Sequence, residues 1–237
     1  MSSPRIHIPA GRWSRRLVLQ EPEHRHLVSV LRPRPGEQVE VFDGQGHVCR
    51  AELIQEGNKW LLSLGPREFL PDNLPSVHLG IALLKGKKLG TVVRMATEVG
   101  VASIQLFTCA RSVPKADTRR MRERIRRFET IASESARQSC RSSVPTVPPL
   151  RTLEEILSGD LPPFCAVLHE SADGRTLSDL LFDAGPERLL LVGPEGGFAP
   201  DEIETAERKG FHVVRLGLPV LRAETAAAVA AALACLP

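Results

Sequence analysis

Leu189-Leu190-Leu191-Val192-Gly193-Pro194-Glu195-Gly196-Gly197-Phe198, followed after a short interval by Val213-Val214-Arg215-Leu216-Gly217-Leu218-Pro219-Val220-Leu221-Arg222-Ala223-Glu224-Thr225-Ala226, is the stretch that decides the fold. Each half opens on an apolar run that ends in glycine. Runs of about four to six apolar residues suit strands buried on both faces, as in the parallel sheet of an α/β protein. Gly193, Gly196 and Gly197 mark sharp turns or close backbone approach. In the interval, Pro200 fits a first helical position, Asp201 and Glu202 complement the positive end of the helix dipole, and Gly210 closes the helix. The unit reads strand, glycine loop, helix, strand, second loop. In open α/β sheets, loops leaving the carboxyl ends of strands bind small ligands. Neither the dinucleotide pattern G-x-G-x-x-G nor the lysine of a phosphate-binding P-loop is present, which disfavours an enzyme built on another nucleotide.

Working outward, Phe164–Leu168 is a further apolar strand, ending at His169-Glu170. Val77–Leu84 is a buried-type strand that runs into Lys85-Gly86-Lys87-Lys88; Leu89, Val92, Val93 and Ala96 then follow at helical spacing up to Gly100, and Val101–Phe107 is the next strand. Strand, helix, strand in that order implies a parallel crossover. Residues 117–140 predict the longest helix, with Met121, Ile125, Phe128 and Ala132 on one stripe and Arg119, Arg120, Arg122, Arg124, Arg126 and Arg127 crowding the remainder. Such a face either is simply solvated or meets an anion. The last helix, Glu224–Leu236, is nearly all alanine and has no charge after Glu224. Either the core of its own domain or a second copy of the chain covers it.

Residues 1–70 read as short strands, Arg5–Ile8, Arg16–Leu19, Gln38–Phe42, Val48–Ile54 and Trp60–Leu64, with glycine turns between them and one short helix at Glu23–Leu31. This is the pattern of a small β-barrel. Pro66–Pro75 is the boundary, giving domains at 1–70 and 75–237. No apolar run approaches the roughly 20 residues that cross a bilayer, and no signal peptide is visible, so a cytoplasmic protein without a membrane partner is expected. The five cysteines are widely separated and in no metal-ligand spacing, and metal-free chemistry is expected. The net charge of +3 conceals an asymmetry, because residues 71–150 carry 14 Lys+Arg against 6 Asp+Glu while residues 151–237 carry 7 against 14. A basic middle segment suggests a polyanionic partner.

Gly-Pro-Glu-Gly-Gly-Phe, then Asp-Glu-Ile, then Leu-Gly-x-x-Val-Leu-Arg-x-Glu-Thr-Ala closely resembles the RsmE family of ribosomal RNA uridine N3-methyltransferases, in the SPOUT superfamily. His26-Leu27, Val30-Leu31-Arg32, Gly36, Phe42–Gly46, Lys85, Glu98–Val101, Arg111-Ser112 and Glu134–Arg141 match the same family in order. The resemblance implies a trefoil-knotted parallel-sheet methyltransferase domain that binds S-adenosylmethionine in the knot, preceded by a small PUA-like RNA-binding β-barrel. It also implies a homodimer that acts on small-subunit (16S) ribosomal RNA, free or in the assembled 30S particle. A catalytically silent RNA-binding ribosome-assembly factor with the same fold is the alternative.

Carried onto this chain, the resemblance implies cofactor binding by Leu168, His169 and Glu170, by Gly193, Pro194, Glu195, Gly196 and Gly197, and by Leu216, Gly217, Val220 and Leu221. Arg32, Arg34, Lys85, Arg111, Gln138 and Arg141, with Arg124, Arg126 and Arg127 of the arginine-rich helix, are the expected RNA contacts. Methyl transfer from a sulfonium is an in-line displacement, so the protein positions two reactants and handles the proton of uracil N3. Arg222 is expected to stabilise the charge that spreads onto the flanking carbonyls or to hold the nucleotide's phosphate, and Glu224 to accept the proton or orient Arg222. Against these roles stands an Arg-Glu pair that only caps the last helix. Two departures from the family pattern are Pro219, where arginine is common, and Ala199, where a serine would cap the following helix for about 1 kcal/mol.

Overall fold

The structure is a computed structural model and describes residues 4–25, 27, 34–112, 117–170 and 175–236. The chain divides into two units: 1–72 with 136–144, and 73–135 with 145–237.

The first unit contains β1 (Arg5–His7), β2 (Arg16–Val18), α1 (Glu21–His24), β3 (Gln38–Phe42), β4 (His47–Glu56), β5 (Lys59–Leu64) and β6 (Glu68–Phe69). Its six-stranded sheet runs β1-β3-β4-β5-β2, with β6 beside β4. The β1–β3 pair is parallel and the remaining pairs are antiparallel. Period-two alternation sets the buried face, where Val39, Val41, Cys49, Ala51, Leu53 and Leu62 join Ile6, Ile8 and Leu17. The helix expected over 23–31 begins at Glu21, while residues 28–33 lie outside the described residues.

Proline-rich residues 66–75 hold the first crossing between units, at Asp72–Asn73, yet the chain returns to the first unit at 136–144. The cause is a polar knot around Asp72. Its carboxylate accepts from Arg141 Nε at 2.8 Å, from Ser142 N at 2.8 Å and from Ser142 Oγ at 2.9 Å. Burial pushes the Asp72 carboxyl up, but those donors more than offset it and hold it below the ordinary value. Ala136 and Val144 add apolar packing against Phe42 and Val48.

The second unit contains β7 (Ser76–Ala82), α2 (Lys88–Val99), β8 (Ser103–Thr108), α3 (Thr118–Gln138, its last turn counted with the first unit), β9 (Arg151–Thr152), α4 (Leu153–Leu157), β10 (Phe164–Leu168), α5 (Leu177–Leu181), β11 (Glu187–Val192), α6 (Pro200–Arg208), β12 (His212–Val214) and α7 (Ala223–Cys235). Its sheet has the order β12-β10-β11-β7-β8-β9. Every pair in it is parallel. The expected crossover Val77–Phe107 is therefore present as β7, α2 and β8. Both faces of the central strands are covered, which explains their unbroken apolar runs: Leu189 to Val192 and Phe164 to Val167 are all buried. At Gly80 an added Cβ would lie 2.4 Å from Leu191 Cδ2, so β7 and β11 meet closely enough that a side chain there would displace Leu191.

Helix α7 packs on α2, α5, β7 and β11. Ala223, Ala227, Ala230, Ala231, Ala234 and Cys235 are buried, whereas Ala228, Val229, Ala232 and Leu233 remain partly open. The unit's own core thus covers one face of this helix. Its carboxyl end is closed by Arg188, a buried arginine at the start of β11, which donates to the carbonyls of Ala234 at 2.6 Å, Leu236 at 3.2 Å, Ala184 at 3.2 Å and Gly185 at 2.9 Å. A cation at the negative end of a helix dipole is favourable, and the fork satisfies carbonyls that the helix leaves open. Arg188→Met removes all four bonds and leaves buried acceptors unpaired; a loss of about 2–4 kcal/mol in urea unfolding is expected.

Candidate active site

Because β10, β11 and β12 run parallel and adjacent, the segments that leave their carboxyl ends meet at one edge of the sheet. Residues 168–170, 192–198 and 214–223, with Lys88, Arg111 and Ala226, line a cleft of about 750 Å³. That volume suits a ligand of drug-like bulk.

The glycine loop after β11 is held from several directions. Phe198 is buried and stacks on Phe107 with ring centroids 6.1 Å apart. A Cβ at Gly193 would lie 3.1 Å from the Phe198 ring, so the turn closes tightly over its own anchor. Arg111 Nη1 donates to the Gly196 carbonyl at 3.0 Å. Glu195 Oε1 accepts from Lys88 Nζ at 2.8 Å and from the Lys85 backbone N–H at 3.3 Å. Partial burial raises the Glu195 carboxyl, and the Lys88 ammonium with nearby N–H groups more than offsets this, holding it below its ordinary value. Lys88 is raised in turn, chiefly by its bond to Glu195.

Ala199 occupies the N-cap of α6 and has no side-chain oxygen to offer, so the loss expected from sequence is real. Glu202 compensates. It accepts from Ala199 N at 2.8 Å and from Ala110 N at 2.8 Å, stitching the helix start to the turn after β8.

The second loop begins earlier than its apolar run suggests. β12 ends at Val214, because Arg215 leaves the sheet to bridge Thr176, and Leu177 N donates to the Arg215 carbonyl at 2.8 Å. Gly217 follows with φ of 71°, and a Cβ there would lie 3.1 Å from Thr176. Leu218 and Val220 then stand 55% and 80% exposed on the cleft's rim.

Arg222 is the N-cap residue of α7, exposed and lining the cleft. Glu224 lies in the first turn of the same helix. The ion pair between them that the sequence suggests is not formed; among the described residues Glu224 pairs with Lys88, Oε2 to Nζ 3.6 Å. Glu224 Oε2 is buried and, among the described residues, has no hydrogen-bond partner. An orphan carboxylate oxygen beside a cleft is a place for an incoming donor.

The expected cofactor residues Leu168, His169, Glu170, Gly193 to Gly197, Leu216, Gly217, Val220 and Leu221 all line this one cleft, as do Arg222 and Arg111. Lys85 does not line it; its backbone N–H donates to Glu195, which does. Arg126 and Arg127 are exposed on α3, and Arg124 lies over the Phe128 ring at 5.9 Å; none lines the cleft. Arg34 and Gln138 are exposed in the first unit, where Arg141 is instead buried on Asp72. Arg32 lies outside the described residues. Sequence reasoning missed Lys88, Thr176 and Glu202. The Lys87-Lys88 pair opening a helix against the dipole was a signal for the first.

A model of the RNA methyltransferase domain matches residues 71–235, and one of the RNA methyltransferase PUA domain matches residues 19–61. Ribosomal RNA small subunit methyltransferase E of Mycobacterium tuberculosis is 36% identical over 222 residues, spanning 90% of this chain and 83% of that protein. The chain belongs to this methyltransferase family. The Bacillus subtilis member is 32% identical over 217 residues, 86% of this chain and 83% of its own. Among solved structures, the Neisseria gonorrhoeae member bound to S-adenosyl methionine superposes with a TM-score of 0.86 at 28% identity, covering 98% of this chain and 96% of that one. A Legionella pneumophila protein solved with bound cofactor SAM gives 0.89 at 26%, with the same coverage.

The second loop depends on Gly217 in a backbone conformation that other residues reach only with strain. Gly217→Val adds that strain to a side-chain clash with Thr176, and a loss of about 1–3 kcal/mol in urea unfolding is the expected outcome.

Proposed function

We propose that this protein transfers a methyl group from S-adenosylmethionine to N3 of a uridine in small-subunit (16S) ribosomal RNA. The observation that carries this reading is the convergence of both glycine-bearing loops on one cleft, in a chain that shares most of its length with ribosomal RNA methyltransferases.

The residues present fit the cofactor. Loop glycines leave backbone groups open to adenine and ribose, while Leu168, Leu216, Val220 and Leu221 offer an apolar wall. Glu170 and Glu195 line the cleft where such a ligand would bring its positive charges, and Arg111 and Arg215 can meet its carboxylate. Bound there, the cofactor supplies an electrophilic methyl on sulfur. The chain's own residues do the rest. Arg222, on the exposed rim at the start of α7, meets the negative charge that develops on the uracil carbonyls or holds the target's phosphate. Glu224, whose Oε2 lacks a hydrogen-bond partner among the described residues, receives the N3 proton.

The path from β12 at the sheet edge through residues 215–222 to α7, packed on β7 and β11 at the centre, supports a SPOUT-type trefoil-knotted domain. Residues 75–237 are read as that domain. Residues 1–70 are read as a PUA-like RNA-binding barrel, with Arg32 and Arg34 toward phosphate. Arg124, Arg126 and Arg127 of α3, with Lys85, Arg111, Gln138 and Arg141, serve RNA contact directly or by holding the surfaces that do. The partly open apolar face of α7 and the exposed Leu218, Val220 and Leu236 support a homodimer. The substrate is ribosomal RNA or the assembled 30S particle, met in the cytoplasm.

Mass spectrometry of ribosomal RNA from cells lacking this protein tests the reading. Loss of one N3-methyluridine, restored by the wild-type chain, is expected. An unchanged set of modified bases would favour a silent assembly factor. Arg222→Ala should reduce complementation by at least about 100-fold while leaving the unfolding curve in place. Charge-neutralising substitution of Arg124, Arg126 and Arg127 together should weaken RNA affinity and lower the slope of log K against log salt by about 2 to 3, measured by filter binding.

A further inference from the structure

Lys88 is the first residue of α2, preceded by Lys87, in a first turn that has no acidic residue. Two cations at the positive end of a helix dipole are unfavourable, so something else must reward them. For Lys88 two carboxylates supply that reward. Its ammonium lies 2.8 Å from Glu195 Oε1, on the glycine loop, and 3.6 Å from Glu224 Oε2, on α7. These carboxylates come from the two different segments that wall the cleft, and Lys88 itself lines it.

Without the ammonium, two carboxylates that now share it would be left uncompensated beside the cleft, and Oε2 of Glu224 is buried with no hydrogen-bond partner among the described residues. The Lys85 backbone N–H is the other donor on Glu195 Oε1, but it makes a longer contact at 3.3 Å and brings no charge. Arg111 and Arg222 also line the cleft, yet neither forms an ion pair with Glu195 or Glu224 among the described residues.

We propose that Lys88 is a positioning residue that ties the glycine loop to the start of α7 by neutralising Glu195 and Glu224 at once, presetting the cleft for its cofactor and aiming Glu224. This rests on the methyltransferase reading above. It goes beyond that reading by naming a residue that contacts neither the transferred methyl nor the base.

Calorimetric titration with S-adenosylmethionine tests it, alongside single-turnover methylation and thermal unfolding of each variant. Lys88→Met is expected to weaken cofactor binding about tenfold, the scale of a lost charge-assisted hydrogen bond, and to slow the methylation step at saturating cofactor. Lys88→Arg keeps a cation in reach and should stay within about threefold of wild type. In the Lys88→Met background, Glu224→Gln removes the stranded charge and should recover most of the affinity while methylation stays impaired. Glu195→Gln and Lys88→Met combined should bind no more weakly than Lys88→Met alone. Wild-type affinity in a folded Lys88→Met variant, or full additivity in that double variant, overturns the proposal, since an exposed ion pair of no consequence would behave so. A wild-type chain that binds no cofactor would instead overturn the methyltransferase reading.

Discussion

The pairing of β11 between β10 and β7 is the constraint on which the rest of the second unit depends. It buries Leu189 to Val192 on both faces and brings Leu191 against Gly80, and it delivers the 193–198 turn beside the ends of β10 and β12. Were β11 displaced by one neighbour, Phe198 would lose Phe107 and the two loops would no longer share a cleft. Arg188, near the start of the same strand, closes the end of α7 through the carbonyls of Ala234 and Leu236 and ties it to those of Ala184 and Gly185. The strand therefore orders its own loop at one end and the last helix at the other.

Charge is arranged on a second principle. Two buried or partly buried carboxylates among the described residues, Asp43 and Asp72, are surrounded by donors. Asp43, with a fully buried side chain, accepts from Gln45 N, His47 N, His47 Nδ1 and Arg67, which offset the burial and hold its carboxyl low. Asp72 does the same for residues 141 and 142. Glu224 departs from the pattern: among the described residues its buried Oε2 has no hydrogen-bond partner, and Lys88 is its ion-pair partner. Stability alone does not favour such an arrangement, and strained or unsatisfied polar groups concentrate where ligands are handled.

Much of this was legible in the sequence. Apolar runs ending in glycine marked β10, β11 and the following loops, because burial on both faces leaves a composition that no amphipathic element shares. Period-two alternation and glycine turns marked the first unit's strands. The motif residues fell on one cleft because parallel strands put all their carboxyl ends on the same edge. What was not legible is long-range: Arg141 reads as one more surface arginine until Asp72, 69 residues earlier, is found on it. Lys88 reads as part of a basic run until Glu195, 107 residues later, accepts from it.

The sequence by itself determined the class of fold, the parallel crossover, the two loops and the family, since each rests on local pattern or on motifs in order. Only the tertiary structure decided that residues 136–144 return to the first unit, that Glu224 answers to Lys88 rather than to Arg222, and that α7 buries one face in its own unit. The physical reason is common to all three. Ion pairs and helix packing depend on distances through space, and a linear pattern carries no measure of them.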